Sequence, residues 1–126
     1  MRSILFTLAF LISCGLYAQQ GFVHNSGQWN DPSTFRMQMG PNSLFLTPDS
    51  LVLSVMDPVD FDGDHIGGHH HYADTLHYHN FSMAFDGARK MQWAGEVAYE
   101  APLNYFVGPR ERWRSNVRSY SKVRAK

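Results

Sequence analysis

Past residue 20 the chain alternates apolar and polar positions with a period of two, and the helical period of 3.6 is almost absent. Phe35, Met37 and Met39 alternate with Arg36 and Gln38, the pattern of a half-buried strand. Segments 43–47 and 51–56 flank Thr47-Pro48-Asp49-Ser50. Proline second and aspartate third suit a tight turn, so these segments are predicted to form a β-hairpin with Leu51, Leu53 and Val55 on one face. Phe81, Met83 and Phe85 alternate with Ser82 and Ala84, and Asp86-Gly87 ends that strand. A strand is expected over 92–99, with Trp93, Val97 and Tyr99 sharing a face, and another over 103–107, stopped by Gly108-Pro109. A short helical turn or loop is expected around 110–115, and weak alternation returns over 117–123. No internal repeat is visible. The pattern implies an all-β fold, an antiparallel β-sandwich-like domain over residues 19–126. It is interrupted by a His/Asp-rich loop, 57–75, expected to be exposed and flexible.

The first residues follow a different logic. Arg2 precedes an apolar run over 4–12, broken only by Thr7, and small and polar residues follow up to Gln19-Gln20. The run is too short to span a bilayer, which takes about 20 apolar residues in a helix. It has the form of a secretory signal peptide, residues 1–18, cleaved after Ala18. Leu11-Ile12-Ser13-Cys14 offers an alternative, a lipobox with Cys14 as the lipidated residue. Cys14 is the one cysteine, so no disulfide is expected in the exported domain. An exported domain without disulfides points to a bacterial envelope. The expected location is secreted, extracellular or on the outer-membrane surface.

Composition changes this picture in one respect. Eleven basic residues balance eleven acidic ones, but the signs are segregated. Segment 57–74 holds five aspartates and no Lys or Arg, whereas 110–126 holds seven basic residues and Glu111. The basic end would suit an anionic partner such as a surface polysaccharide. It would equally suit a strand edge guarded by basic side chains. No helix-turn-helix, zinc-finger or aromatic RNA-binding motif is present, and a nucleic-acid partner is not expected.

Candidate chemistry concentrates in the loop. It carries His65, His69, His70 and His71, and His77 and His79 lie just beyond. Imidazoles and carboxylates together are ligands for zinc or copper. His77 and His79 are two apart on an expected strand and so share a face, which Phe81 and Met83 continue. These six histidines are the candidate metal ligands. Weak zinc or copper binding through them is the alternative to a cofactor-free domain. Asp60-Phe61-Asp62-Gly63-Asp64 has the flavour of a calcium loop, but its glycine falls at the fourth position instead of the sixth and no glutamate follows in register.

Enzymatic signatures are missing. There is no G-x-S-x-G, Walker loop, Rossmann glycine pattern or H-E-x-x-H. Glu96 and Glu100 would stand about 13 Å apart along a strand, too far for a carboxylate pair. No catalytic residue is assigned, and the protein is not expected to be an enzyme. Asp49-Ser50-Leu51 and Asp74-Thr75-Leu76 fit a three-residue O-glycosylation pattern that turn residues also satisfy.

Gly21-Phe22-Val23-His24-Asn25-Ser26-Gly27-Gln28-Trp29 resembles the F-x-x-N-x-G-Q-W opening of an N-terminal domain of large Bacteroidetes surface proteins. Asn104-Tyr105-Phe106-Val107-Gly108, then Trp113, Asn116-Val117 and Tyr120, resembles the later N-Y-F-x-G…W…N-V…Y signature of that domain. His24 departs from the glutamate common there. Such proteins often carry SBBP or PKD repeats and a sorting domain for type IX secretion. The resemblance implies that this chain is a fragment of a longer polypeptide, an incomplete sandwich with an unpaired edge strand near 117–123 and marginal stability. It implies no activity. The expected function is a non-enzymatic structural or adhesive module of an exported cell-surface protein. Its partners would be surface polysaccharide, other envelope proteins or the rest of a larger polypeptide. The alternative is a metal-binding envelope domain using the histidine loop. Phe22, Trp29, Tyr105, Phe106 and Trp113 are expected to build the core.

Overall fold

The structure is a computed structural model that describes residues 21–61 and 75–126. Residues 1–20, with the expected signal peptide, and loop positions 62–74 lie outside the described residues, and with them His65, His69, His70, His71 and Asp74.

The fold is all-β and antiparallel. Strands β1 (Phe22–His24), β2 (Phe35–Met39), β3 (Asn42–Leu46), β4 (Leu51–Met56) and β5 (Tyr78–Met83) follow one another as neighbours. Strand β6 (Trp93–Ala98) lies at the far edge, β7 (Leu103–Tyr105) and β8 (Arg114–Val117) form a separate hairpin, and β9 (Ser119–Ala125) completes the main sheet. The seven-stranded order is β5-β4-β3-β2-β1-β9-β6. A helical turn, α1 (Pro58–Phe61), follows β4.

Tight turns set the meander. Met39 pairs with Asn42 across a two-residue loop, and Gly40 takes φ +60° at its first position, where such a hairpin favours glycine. At the β3–β4 turn the Thr47 amide donates to the Ser50 carbonyl (2.9 Å), while Thr47 Oγ1 accepts the Ser50 amide (2.9 Å). The predicted hairpin is therefore present.

Because the pairs from β9 through β1 to β5 run without register shifts, side chains line up in rows across these strands. One row runs Tyr120, Phe22, Met37, Leu44, Leu53, Phe81. Beside it runs His24, Phe35, Leu46, Leu51, Met83. Phe35 and Leu46 are 2% and 3% exposed. The Phe35 ring meets His24 edge-on at 5.3 Å and Tyr120 at 5.7 Å. On the opposite face lies the row Val23, Arg36, Phe45, Val52, Ser82. The β7–β8 hairpin covers part of it: Leu103 lines a cavity with Val23, Gln38 and Ser119. The Arg36 guanidinium lies over Phe45 (4.3 Å) and Trp29 (4.8 Å), and Trp29 meets Tyr105 edge-on at 5.5 Å.

The sheet is strongly curled. β3 and β6 are four strand spacings apart within it, about 19 Å if it were flat. Yet Trp93 Nε1 on β6 donates to the Thr47 carbonyl at the end of β3 (2.8 Å), and the Met91 amide donates to the Pro48 carbonyl (2.7 Å). The β6 side has therefore rolled back over the sheet's inner face. Gly95 permits this packing, since a Cβ there would come within 2.4 Å of the Tyr120 ring.

Several expectations need correction. The strand expected over 117–123 is divided at Arg118 into β8 and β9, with Asn116 at φ 58° just before the break. Strand β9 is not an edge. Its Ser119 and Tyr120 pair with β1 and its residues 120–125 with β6, and the strands at the two ends of the sheet order are β5 and β6. The expected common face of Trp93, Val97 and Tyr99 is broken by register shifts on both sides of Val97, which leave Val97 53% exposed. Phe106 and Trp113 are not core: both are exposed, and they meet edge-on at 5.6 Å. Phe22, Trp29 and Tyr105 are half-buried, and the third fully buried apolar residue is Val117. The segment expected as loop from residue 57 begins with α1.

Trp93→Phe should lower the unfolding free energy by about 1–3 kcal/mol, since it strands a half-buried carbonyl. Trp113→Phe, which removes an exposed bond to the Gly108 carbonyl (3.1 Å), should cost less. Urea melts of the two variants check the ordering.

Candidate functional site

The histidine loop leaves the sheet through a defined neck. Asp57 follows β4 and caps α1: its Oδ1 accepts the Val59 amide (3.0 Å), with Pro58 as the first helical residue. Asp60 then lies within hydrogen-bonding reach of the returning chain. Its carboxylate accepts the His77 amide (2.5 Å) and stands 3.2 Å from His77 Nδ1. The Asp57 amide donates to the His77 carbonyl (2.9 Å), which extends the β4–β5 ladder by one pair. His79 sits opposite Val55, and its Nε2 lies 3.7 Å from Asp57 Oδ2.

Two of the six predicted histidines are thus each brought beside an aspartate, and the other four lie outside the described residues. His77 and His79 both have 67% of their side chains exposed. With Nδ1 of His77 turned to Asp60, its Nε2 faces away from the carboxylate. Carboxylates oriented on imidazoles in this way fix the ring and its tautomer in metal sites. Among the described residues, no three His, Cys, Asp or Glu side chains are grouped to hold a metal ion. Sequence reasoning did not single out Asp57 and Asp60 as partners of the histidines. The Asp57-Pro58-x-Asp60 pattern, a helix start, was the available signal.

A second feature adjoins this neck. The two inner rows end on β5 at Phe81 and Met83, which are 61% and 59% exposed, whereas Phe35 and Leu46 in the Met83 row are buried and the other row-mates are half-buried. With Met39, Leu44, Leu51 and Leu53 they line an open cavity of about 400 Å³. Leaving a side chain such as Phe81 uncovered forgoes about 1.5–3 kcal/mol of burial. Contiguous apolar surface of this kind marks interaction sites.

The basic end is largely occupied within the chain. Glu96 holds Lys122 (2.9 Å) and Arg124 (2.5 Å). These cations, led by the Lys122 hydrogen bond, keep the Glu96 carboxyl below its ordinary range. Arg114 donates to the carbonyls of Ser26 (2.7 Å), Glu111 (2.7 Å) and Trp113 (2.8 Å). Arg110 lies over the Trp113 ring at 5.4 Å.

The resemblance motif has a structural role of its own. Asn25 Nδ2 donates to the carbonyls of Ser33 (3.0 Å), Asp31 (3.3 Å) and Trp29 (3.4 Å), while its Oδ1 accepts the Gly27 amide (3.0 Å). Gln28 bridges the His24 carbonyl and the Ser26 amide, both at 2.7 Å. Gly27 has φ +99°, and the Arg114 guanidinium packs where a Cβ would stand. Asn, Gly and Gln therefore build the β1–β2 connection.

The clasp at the loop neck has a pH signature. The His77 amide chiefly, and its imidazole in addition, hold the Asp60 carboxyl below the ordinary range against a smaller opposing effect of burial. A depressed folded value means the stabilisation is present above the unfolded value, about pH 4, and is lost as pH falls through the folded one. Below about pH 4 the natural chain should therefore lose stability more steeply than Asp60→Asn, as measured by urea melts across that range.

A family model for a domain of unknown function, DUF7948, matches residues 22–126. Comparison with curated proteins and with solved structures found no match. The matched span takes in every strand of the curled sheet and the β7–β8 hairpin, and the chain belongs to the DUF7948 family.

Proposed function

We propose that this domain is a non-enzymatic, adhesive or structural module of an exported bacterial cell-surface protein, and that it works through the apolar flank of β4 and β5. The observation that carries this reading is the uncovered end of the two core rows, Phe81 and Met83. Export is supported by the signal pattern of residues 1–18. The Bacteroidetes surface setting is supported by the resemblance of 21–29 and 104–120. The internal pairing of Lys122, Arg124 and Arg114 makes a polyanion a weaker candidate partner than an apolar protein surface.

Expressed with an epitope tag in a Bacteroidetes host, the chain should be digested by protease added outside intact cells. Full protection would overturn the surface assignment. Beads coated with the purified chain should bind such cells, and Phe81→Ser should weaken that binding by about tenfold or more, the equivalent of about 1.4 kcal/mol. Equal binding by the variant would overturn the role of the flank.

A second reading is favoured by the paired carboxylates on His77 and His79: zinc or copper binding at the neck of the histidine loop. Calorimetric titration of the chain with zinc or copper at neutral pH should then give binding heat that is reduced in His77→Ala/His79→Ala. Absence of heat would overturn it.

A further inference from the structure

The two edges of the main sheet are built differently. At the β6 edge the register shifts on both sides of Val97, and Glu96 stands there with Lys122 and Arg124. Bulges and charges of this kind ordinarily keep an edge from pairing with another chain. The β5 edge has neither. It pairs with β4 in unbroken register over six residues, all six are exposed, and Tyr78-His79-Asn80-Phe81-Ser82-Met83 contains no Lys, Arg, Asp, Glu or Pro.

The ladder also fixes which groups face outward. The Asp57 amide donates to the His77 carbonyl, so 57 and 77 form a hydrogen-bonded pair. By alternation His79, Phe81 and Met83 direct their N–H and C=O groups to β4, while Tyr78, Asn80 and Ser82 direct theirs to the open edge.

We propose that β5 pairs antiparallel with β5 of a second copy of this chain, about a two-fold axis perpendicular to the sheet at Phe81. This rests on the reading of the flank as an interaction surface and names its partner. The choice of a second copy follows from self-complementarity. A perpendicular two-fold keeps the apolar faces on the same side. With Phe81 on the axis, Asn80 lies opposite the partner's Ser82, and both belong to the set with outward hydrogen-bonding groups. Phe81 lies opposite the partner's Phe81 as a non-hydrogen-bonded pair, where side chains are closest. His79 lies opposite the partner's Met83. The strand carries no fixed charge, so apposing it to itself brings no like charges together. The two open cavities join across the axis, and each copy covers the exposed ends of the other's core rows.

Sedimentation equilibrium of the purified chain should give twice the monomer mass. Ser82→Pro removes one outward N–H and leaves the β4 ladder intact; it should give a monomer. In a Cys14→Ser background, Phe81→Cys should cross-link on mild oxidation, because Cα atoms of a non-hydrogen-bonded pair stand about 4.5 Å apart, within the about 4.4–6.8 Å that a disulfide spans. Val97→Cys, on the bulged edge, should not. A monomer at every concentration, a dimer undisturbed by Ser82→Pro, or equal cross-linking at both cysteines would overturn the proposal, as would a monomer whose β5 binds a different polypeptide. If Ser82→Pro fails to fold, the cross-linking contrast decides. A monomeric chain that still binds cells in a Phe81-dependent way would overturn the pairing and leave the adhesive reading standing.

Discussion

One hydrogen bond, from the Trp93 indole to the Thr47 carbonyl, holds together parts of the sheet that strand pairing alone would keep far apart. Without that closure the inner face would be an open apolar surface on one side of a twisted ribbon. With it, Trp93 is drawn to the end of β3 next to Leu46, and Phe35 and Leu46 are nearly inaccessible to water. The bond is cooperative with its neighbours. Thr47 is itself fixed by four hydrogen bonds to the Ser50 backbone and side chain within the β3–β4 turn. The Met91 and Pro48 backbones add a second tie beside it. The curl is thus anchored on the β3–β4 turn.

A small domain with three fully buried apolar side chains among its described residues must order its loops by other means. Asn25 and Gln28 do this in the β1–β2 connection, each satisfying several backbone groups that have no ladder partner. Arg114 reaches across from β8 to lock the same segment. Polar side chains therefore take part of the structural role that a larger core would supply. The Arg36 guanidinium, flattened between Trp29 and Phe45, is the corresponding device on the outer face.

Fold class was legible in the sequence because period-two alternation and turn chemistry are local. Phe35 to Met39, the Thr47-Pro48-Asp49-Ser50 turn and Leu51 to Met56 lie where those signals place them. The destination of each strand was not legible, since pairing partners are set by long-range closure. Strand β9 looked like an edge because it is basic and last in order, yet its backbone pairs with both β1 and β6, and Glu96 on β6 takes up Lys122 and Arg124. The aromatic residues Phe106 and Trp113 looked like core by type alone. They lie on the loop and 3₁₀ turn around Gly108, where no second layer covers them. At the loop neck, the shared face of His77 and His79 followed from alternation. Their pairing with Asp57 and Asp60 depended on the helical turn α1, which a composition-based reading of the segment as loop obscured.

The position of β9 has a kinetic side. Strand β9, the last of the described strands in chain order, lies between β1, formed from residues 22–24, and β6. Until it is in place the β1–β5 meander and β6 are two unconnected pieces, and neither the Phe35–Tyr120 contact nor the curl can exist. Contacts that span nearly the whole chain are slow to form, because loop closure must precede the gain from pairing. Closure of the sheet at β9 is therefore a late step in folding. Before that step the inner rows of the meander lack the Tyr120 ring that meets Phe35 in the closed sheet.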